Sequence, residues 1–167
     1  MKKIFSIFMV ITATAAVAKS QGTGNITSAE VLKVVGQVFD GMRAADSTMV
    51  RSAFAKDAEL YTIFTDKEGN PVLHKGSLVN FLNAVGSPHD VVWDEPIWDT
   101  EVRIDGNLAQ VWTKYAFYAG DKFSHCGVDA FHLFKTLEGW KIFHLTDTRQ
   151  WQDCEVPEEI KDNHNNN

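Results

Sequence analysis

Basic charge is scarce in this chain and is nowhere gathered into a stripe. Lys and Arg number 16 against 22 Asp and Glu, a net charge of −6. A surface of that sign repels phosphate backbones and anionic headgroups, so nucleic acid and acidic membranes are excluded as partners. The glycine patterns that serve phosphates and nucleophiles are missing as well: there is no G-x-G-x-x-G, no P-loop and no G-x-S-x-G. Dinucleotide binding, P-loop phosphoryl transfer and elbow-type serine hydrolysis fall away with them. A metal site needs three or four converging donors, and the six histidines are not clustered in that way. No metal and no cofactor is expected.

Long hydrophobic runs are lacking too. The apolar stretch at 4–18 has 15 residues, where a membrane helix needs about 20. It follows Lys2 and Lys3 and ends in Ala16-Val17-Ala18, a small-x-small cleavage pattern ahead of Lys19. Residues 1–18 therefore read as a secretory signal, and the absence of a cysteine after the site argues against a lipid anchor. The mature protein is expected to be exported, periplasmic or secreted, with no membrane attachment after signal removal. Two cysteines remain, Cys126 and Cys154. Outside the cytoplasm they either pair, stabilising by on the order of 3 kcal/mol, or stay as two thiols with one buried in a strand.

What is present reads as one domain, residues 27–154, between a loose lead-in at 19–26 and a disordered, Asn-rich tail at 155–167. Thr27-Ser28-Ala29-Glu30 is a capping box ahead of a helical stripe of Val31, Val34, Val35, Val38, Phe39 and Met42. Asp46 or Ser47 caps a short second helix with Val50, Ala53 and Phe54 on its apolar side. A strand runs over 59–65, a turn region over 66–71, and Ser77 caps a third helix ended by Gly86-Ser87-Pro88. From Val91 onward strand follows strand. Pro96 confines the first half of one to an edge or bulge, and Asp105-Gly106-Asn107 is a tight hairpin signal. The fold class is α+β: helices first, then a long antiparallel meander that must bend and leave a cavity on its concave side.

The most informative stretch is the hairpin at 123–149, turning at Thr136 to Gly139. Strict alternation puts Leu133 opposite Ile142, Phe131 opposite His144 and Asp129 opposite Thr146. One face then carries His125, Asp129, Phe131, Leu133, Trp140, Ile142, His144 and Thr146. Continued through the turn at Gly120-Asp121, alternation adds Trp112, Lys114 and Tyr118 to that face. Cys126, Val128, Ala130, His132, Phe134, Phe143 and Leu145 form the packing face, joined by Val111, Thr113, Tyr115 and Phe117.

Several motifs together resemble the nuclear-transport-factor-2-like superfamily. They are Phe54-Ala55-x-Asp57-Ala58-x-Leu60, Ile104-Asp105-Gly106-Asn107-x-Ala109 and Gly139-Trp140-Lys141-Ile142. Ser124-His125-Cys126-Gly127 and Asp147-Thr148-Arg149 look most like its lumazine-binding, polyketide-cyclase-like (SnoaL-like) branch. The similarity spans 26–149. It implies a cone-shaped, cystatin-like α+β barrel, a homodimer through the outer sheet face and a pocket at the mouth of the cone. Members of the superfamily include ketosteroid isomerases, polyketide cyclases, dehydratases and proteins that only bind.

Within the expected pocket, His125 and Asp129 stand about 13 Å apart along one strand, too far to bond. Asp129 and His144 are diagonal neighbours at about 7–8 Å. An aspartate on one ring nitrogen would raise the basicity of the other and make a general base. Alternatively, Asp129 bonds Thr146 or a backbone amide and His144 is a packed histidine. Tyr61 is placed to donate to a carbonyl, Lys114 to bind an anionic group or reach the rim, and Trp112, Tyr118 and Trp140 to stack on a flat ligand or simply pack. His132 is a dimer contact or a core residue, and Asp147 with Arg149 reads as an ion pair at the strand end. The leading expectation is a binder of a small apolar or aromatic molecule. The alternative is an isomerase, cyclase or dehydratase using Asp129 and His144 for proton transfer.

Overall fold

The computed structural model describes residues 23–165, with side chains over 28–164. The expected signal at 1–18 and the first part of the lead-in lie outside the described residues. Helix α1, Thr23–Arg43, opens before the expected capping box. Once a helix is nucleated, each added residue gains a bond while fixing only itself, so a loose lead-in is readily drawn in. Val31, Val35, Val38, Phe39 and Met42 form its buried stripe. Helix α2, Ser47–Ala53, starts at Asp46, whose Oδ1 accepts the Thr48 and Met49 N–H groups at 2.9 Å each. These are the donors that a helix start leaves unpaired. α1 and α2 touch at Gly41, where a Cβ would stand 2.6 Å from Val50 Cγ2.

Strand β1, Phe54–Thr65, turns into β2, Pro71–Lys75. β2 was not legible in the sequence: it is five residues long and largely exposed, so it has no buried face to impose alternation. Helix α3, Leu78–Gly86, is capped by Ser77 as expected. β3, Trp93–Asp94, and β4, Ile97–Asp105, are separated at Glu95 and Pro96. Pro96 lacks the N–H a continuous ladder would use. β5, Leu108–Ala119, β6, Lys122–Thr136, and β7, Gly139–Arg149, complete the meander.

These strands form one sheet in the order β2-β1-β7-β6-β5-β3, with β4 also paired to β5. Every pairing is antiparallel except β1 with β7, which is parallel. The sheet is curved and unclosed, and α1 to α3 pack on its inner face. There the α1 stripe, Val50, Ala53 and Val85 meet Val111, Phe131, Leu133, Trp140 and Ile142 in one buried cluster. The α+β class with N-terminal helices over a curved sheet is as the sequence implied.

Two β-bulges change which residues face inward. On β7, Leu133 pairs with Ile142 but His132 pairs with His144, so Phe143 is an extra residue. On β6, Phe123 pairs with Tyr118 but His125 pairs with Phe117, so Ser124 is extra. Each inserted residue reverses the alternation beyond it.

The expected disordered tail is a second correction. Residues 155–165 include helix α4, Glu158–Asn165, while 166 and 167 lie outside the described residues. Cys126 and Cys154 are disulfide-bonded with Cα atoms 6.0 Å apart. Val156, only 7% exposed, and Ile160 pack on Ala116 and Tyr118. The cross-link and this small apolar cluster offset the ordering entropy that composition alone suggested would prevail.

Candidate functional site

The inner face leaves a cavity of about 330 Å³ between α1, α3, β1 and the β5–β7 strands. Its apolar wall is Met42, Leu60, Phe81 and Leu145, and its polar floor is Glu95, Tyr115, His125, Asp129, Asp147 and Arg149. The bulges select that floor. With Ser124 inserted, Asp129 pairs with Thr113 instead of sharing a face with Trp112 and Lys114, and Tyr115 lies across from Gly127. With Phe143 inserted, Asp129 pairs with Asp147.

His125 and Asp129 therefore line the cavity, but the proposed Asp129–His144 pair does not exist. His144 is on the outer face, its Nδ1 3.2 Å from His132 Nδ1 and its Nε2 3.3 Å from Thr146 Oγ1. The other expected contacts divide for the same reason. Trp112, 48% exposed, lies on the outer face. Lys114 pairs with Asp99 at 2.9 Å away from the cavity. Tyr118 is covered by the tail, and its ring stacks on His164 at 3.8 Å. Thr146 follows His144 outward, while Phe131 and Trp140 are core residues. Tyr61 borders the cavity, but its hydroxyl lies 3.5 Å from Glu59 and its ring faces His144 at 5.6 Å.

Asp147 and Arg149 do form an ion pair, Nε to Oδ2 at 2.6 Å, and it belongs to the cavity. Thr62 Oγ1 donates to the other Asp147 oxygen at 2.7 Å. The Tyr115 hydroxyl donates to the Thr148 carbonyl at 2.8 Å and lies 3.4 Å from Asp147 Oδ2. Asp147 is thus fully partnered, and its charge is matched by Arg149.

Asp129 is different. It is 3% exposed, and its Oδ2 receives no hydrogen bond from any backbone amide, hydroxyl or cationic group. Its neighbour on the cavity floor is the Glu95 carboxyl, and each acts on the other's proton affinity. Neighbouring carboxyl groups in a poorly solvated site resist ionising together. Burial raises both, reinforced by the charges of Asp147 and Asp94 at Glu95 and by those of Glu95 and Asp147 at Asp129: Glu95 to about 8, and Asp129 well above the usual carboxylate range. Arg149 opposes the rise without cancelling it. Burial also raises the Tyr115 phenol, with Asp147, Glu95 and Asp129 adding to the effect.

His125 stands against the rings of Tyr115 and Phe117 at 5.7 and 5.2 Å. Burial, with the Arg149 charge adding to it and Asp147 opposing, lowers it to about 4, so it is a neutral imidazole at pH 7. The floor therefore offers an uncharged acid pair, a neutral imidazole and a compensated ion pair. It can donate a proton or hydrogen bond through Glu95–Asp129 without presenting net charge. Among the described residues, no three or more His, Cys, Asp or Glu side chains converge as metal ligands, and no helix is long and apolar enough to cross a membrane.

Glu95 was missed in the sequence. The available signal was an acid beside Pro96, between Trp93-Asp94 and Ile97-Trp98, where a strand must break and let a side chain turn inward.

A curved sheet with helices on its inner face and a cavity between them defines the nuclear-transport-factor-2-like class. A family profile described as "Putative lumazine-binding" matches residues 27–145, and the chain belongs to that family. Solved structures agree on the fold. A nuclear-transport-factor-2-like protein of unknown function from Shewanella baltica is 18% identical, with a TM-score of 0.58 over 78% of this chain and 98% of its own. One from Novosphingobium aromaticivorans with a cystatin-like fold is 9% identical, TM-score 0.60, over 85% and 98%. A protein from Streptomyces avermitilis described as a putative dehydratase is 13% identical, TM-score 0.58, over 78% and 100%. At these identities the likeness concerns the fold alone. No curated protein matches the chain.

Proposed function

We propose that the chain is an exported binding protein for a small, flat, uncharged molecule with a lactam-like edge, held in the cavity by the Glu95–Asp129 pair. The carrying observation is that pair: a buried Asp129 whose Oδ2 has no hydrogen-bond partner, beside the half-buried Glu95 carboxyl on the same cavity floor. A carboxylic acid offers an O–H donor beside a carbonyl acceptor, which complements the adjacent N–H and C=O of a cyclic amide. Lumazine, the molecule in the family's description, has such edges on a planar ring. A cavity of about 330 Å³ is at the small end for ligand sites and suits one or two fused rings. Export is supported by Lys2, Lys3, the apolar 4–18 segment and the disulfide, which persists in oxidising compartments. A homodimer through the outer sheet face is supported by the exposed apolar residues Leu108, Trp112, Phe134 and Phe143 there.

The test is a fluorescence titration with lumazine. Saturable binding at one site per chain is expected, weakening as pH rises through about 8 when Glu95 gives up its proton, and at least tenfold weaker in Asp129→Leu. Absence of saturable binding, or binding unchanged in Asp129→Leu, would reject this reading.

A second reading rests on the same pair. An acid still protonated at neutral pH can also pass its proton on, so an isomerase, cyclase or dehydratase would use Glu95 and Asp129 where the sequence suggested Asp129 and His144. Turnover lost in Asp129→Asn with ligand affinity kept would favour it.

A further inference from the structure

The chain beyond Arg149 folds back over the outer side of β5 and β6. Gln150 and Cys126 exchange two backbone hydrogen bonds of 3.0 Å, and the Cys126–Cys154 bridge follows. Val156 and Ile160 then pack on Ala116 and Tyr118. This brings His164 of α4 flat onto the Tyr118 ring, with planes 13° apart. His164 Nε2 lies 2.9 Å from Asp94 Oδ2. From the opposite side, Arg43 Nη1 at the end of α1 donates to Asp94 Oδ1, also at 2.9 Å.

Asp94 closes β3, a strand of two residues paired only to β5. So short a ladder holds its place weakly. Glu95 comes next, and its carboxyl must stay against Asp129 inside the cavity. The following carbonyl, Pro96, accepts from Ala116 N–H at 3.2 Å. Glu95 is therefore held after it by the Pro96 carbonyl and the β4–β5 ladder, and before it by the two-residue β3 ladder and the clamp on Asp94. Residues 150–165 lie outside the span matched by the family profile.

We propose that the C-terminal segment is a latch that positions the cavity acid: His164, tethered through the disulfide and α4, acts with Arg43 on Asp94 to hold Glu95 against Asp129. The inference rests on the reading of Glu95–Asp129 as the polar centre of the site. Asp94 and His164 are positioning residues, since neither lines the cavity.

The test follows the Glu95 carboxyl carbon by NMR across pH, with the signal assigned by Glu95→Gln, in the full chain. His164→Ala removes the clamp, and His164→Gln keeps a side-chain N–H for Asp94. Cys126→Ser with Cys154→Ser frees the segment without touching β3. The Glu95 midpoint should fall by one pH unit or more, a tenfold change in proton affinity, in His164→Ala and in the cysteine double variant. It should be restored in His164→Gln. His125, titrated in the same samples, should keep its midpoint and so report an intact cavity. A Glu95 midpoint that is raised in the parent and unmoved in both latch-free proteins overturns the latch alone. A midpoint in the ordinary carboxylate range in the parent overturns the acid pair and the latch together.

Discussion

At the scale of single residues, the protonation of the cavity floor has a measurable consequence for stability. Glu95 binds its proton more tightly folded than unfolded, since its folded value is about 8 against an ordinary 4.5. The folded state then carries more protons between those values, and stability falls as pH rises through that window. His125 acts oppositely: lowered to about 4, it leaves the folded state with fewer protons than the unfolded chain below pH 6.5. Its contribution is present above 6.5 and lost as pH falls toward 4. Above pH 6.5 the carboxyl pair acts without that opposition, so urea unfolding should show stability dropping by roughly 1.4 kcal/mol per pH unit for Glu95 up to about pH 8, with the raised Asp129 adding to the fall. Glu95→Gln should flatten that decline. A flat profile in the parent protein would show that Glu95 is ionised at neutral pH.

At the scale of elements, the bulges decide the site. Alternation correctly placed His125, Asp129, Phe131 and Leu133 on the inner face, because β6 beyond Ser124 is regular up to its turn. It failed on β5 and on the far half of β7, where one extra residue in each hairpin moved Tyr115 and Asp147 in and Lys114 and His144 out. Neither Ser124 nor Phe143 is a glycine or sits in a turn sequence, so neither announces a bulge. The helices were easier to read, since α1 to α3 carry apolar stripes and α2 and α3 have capping residues. Close backbone approach gives another test. At Gly127 an added Cβ would stand 1.9 Å from the Thr148 carbonyl oxygen. Gly127→Ala should therefore part β6 from β7 beside the site and destabilise by about 3 kcal/mol or more, read from chemical unfolding. Gly36→Ala, with nothing within 4 Å of its added Cβ, should not destabilise.

At the scale of the molecule, the disulfide and tail turn an open sheet into a tethered one. The bridge spans 28 residues and encloses all of β7. Chain-entropy arguments assign a loop of this size about 3.5 kcal/mol, so the cysteine double variant should unfold at a lower temperature by several degrees or more in calorimetry. An unchanged transition would mean that the unfolded chain is already compact around this loop. Composition pointed to a disordered tail because its polar character outweighs two apolar residues; the covalent tether and the Cys126–Gln150 backbone bonds bring Val156 and Ile160 within reach of a partner.

The parallel pairing of β1 with β7 also governs how the molecule comes to exist. The strand formed first along the chain finds its principal neighbour in the last one, with Thr62 beside Asp147. Until 147 has emerged, β1 has only its hairpin with β2, and Asp147 cannot receive the Thr62 hydroxyl that helps complete the floor. Such distant pairing slows assembly relative to a helical bundle of equal length, because ring-closure entropy precedes any reward. The cavity is accordingly among the last parts of the protein to take shape.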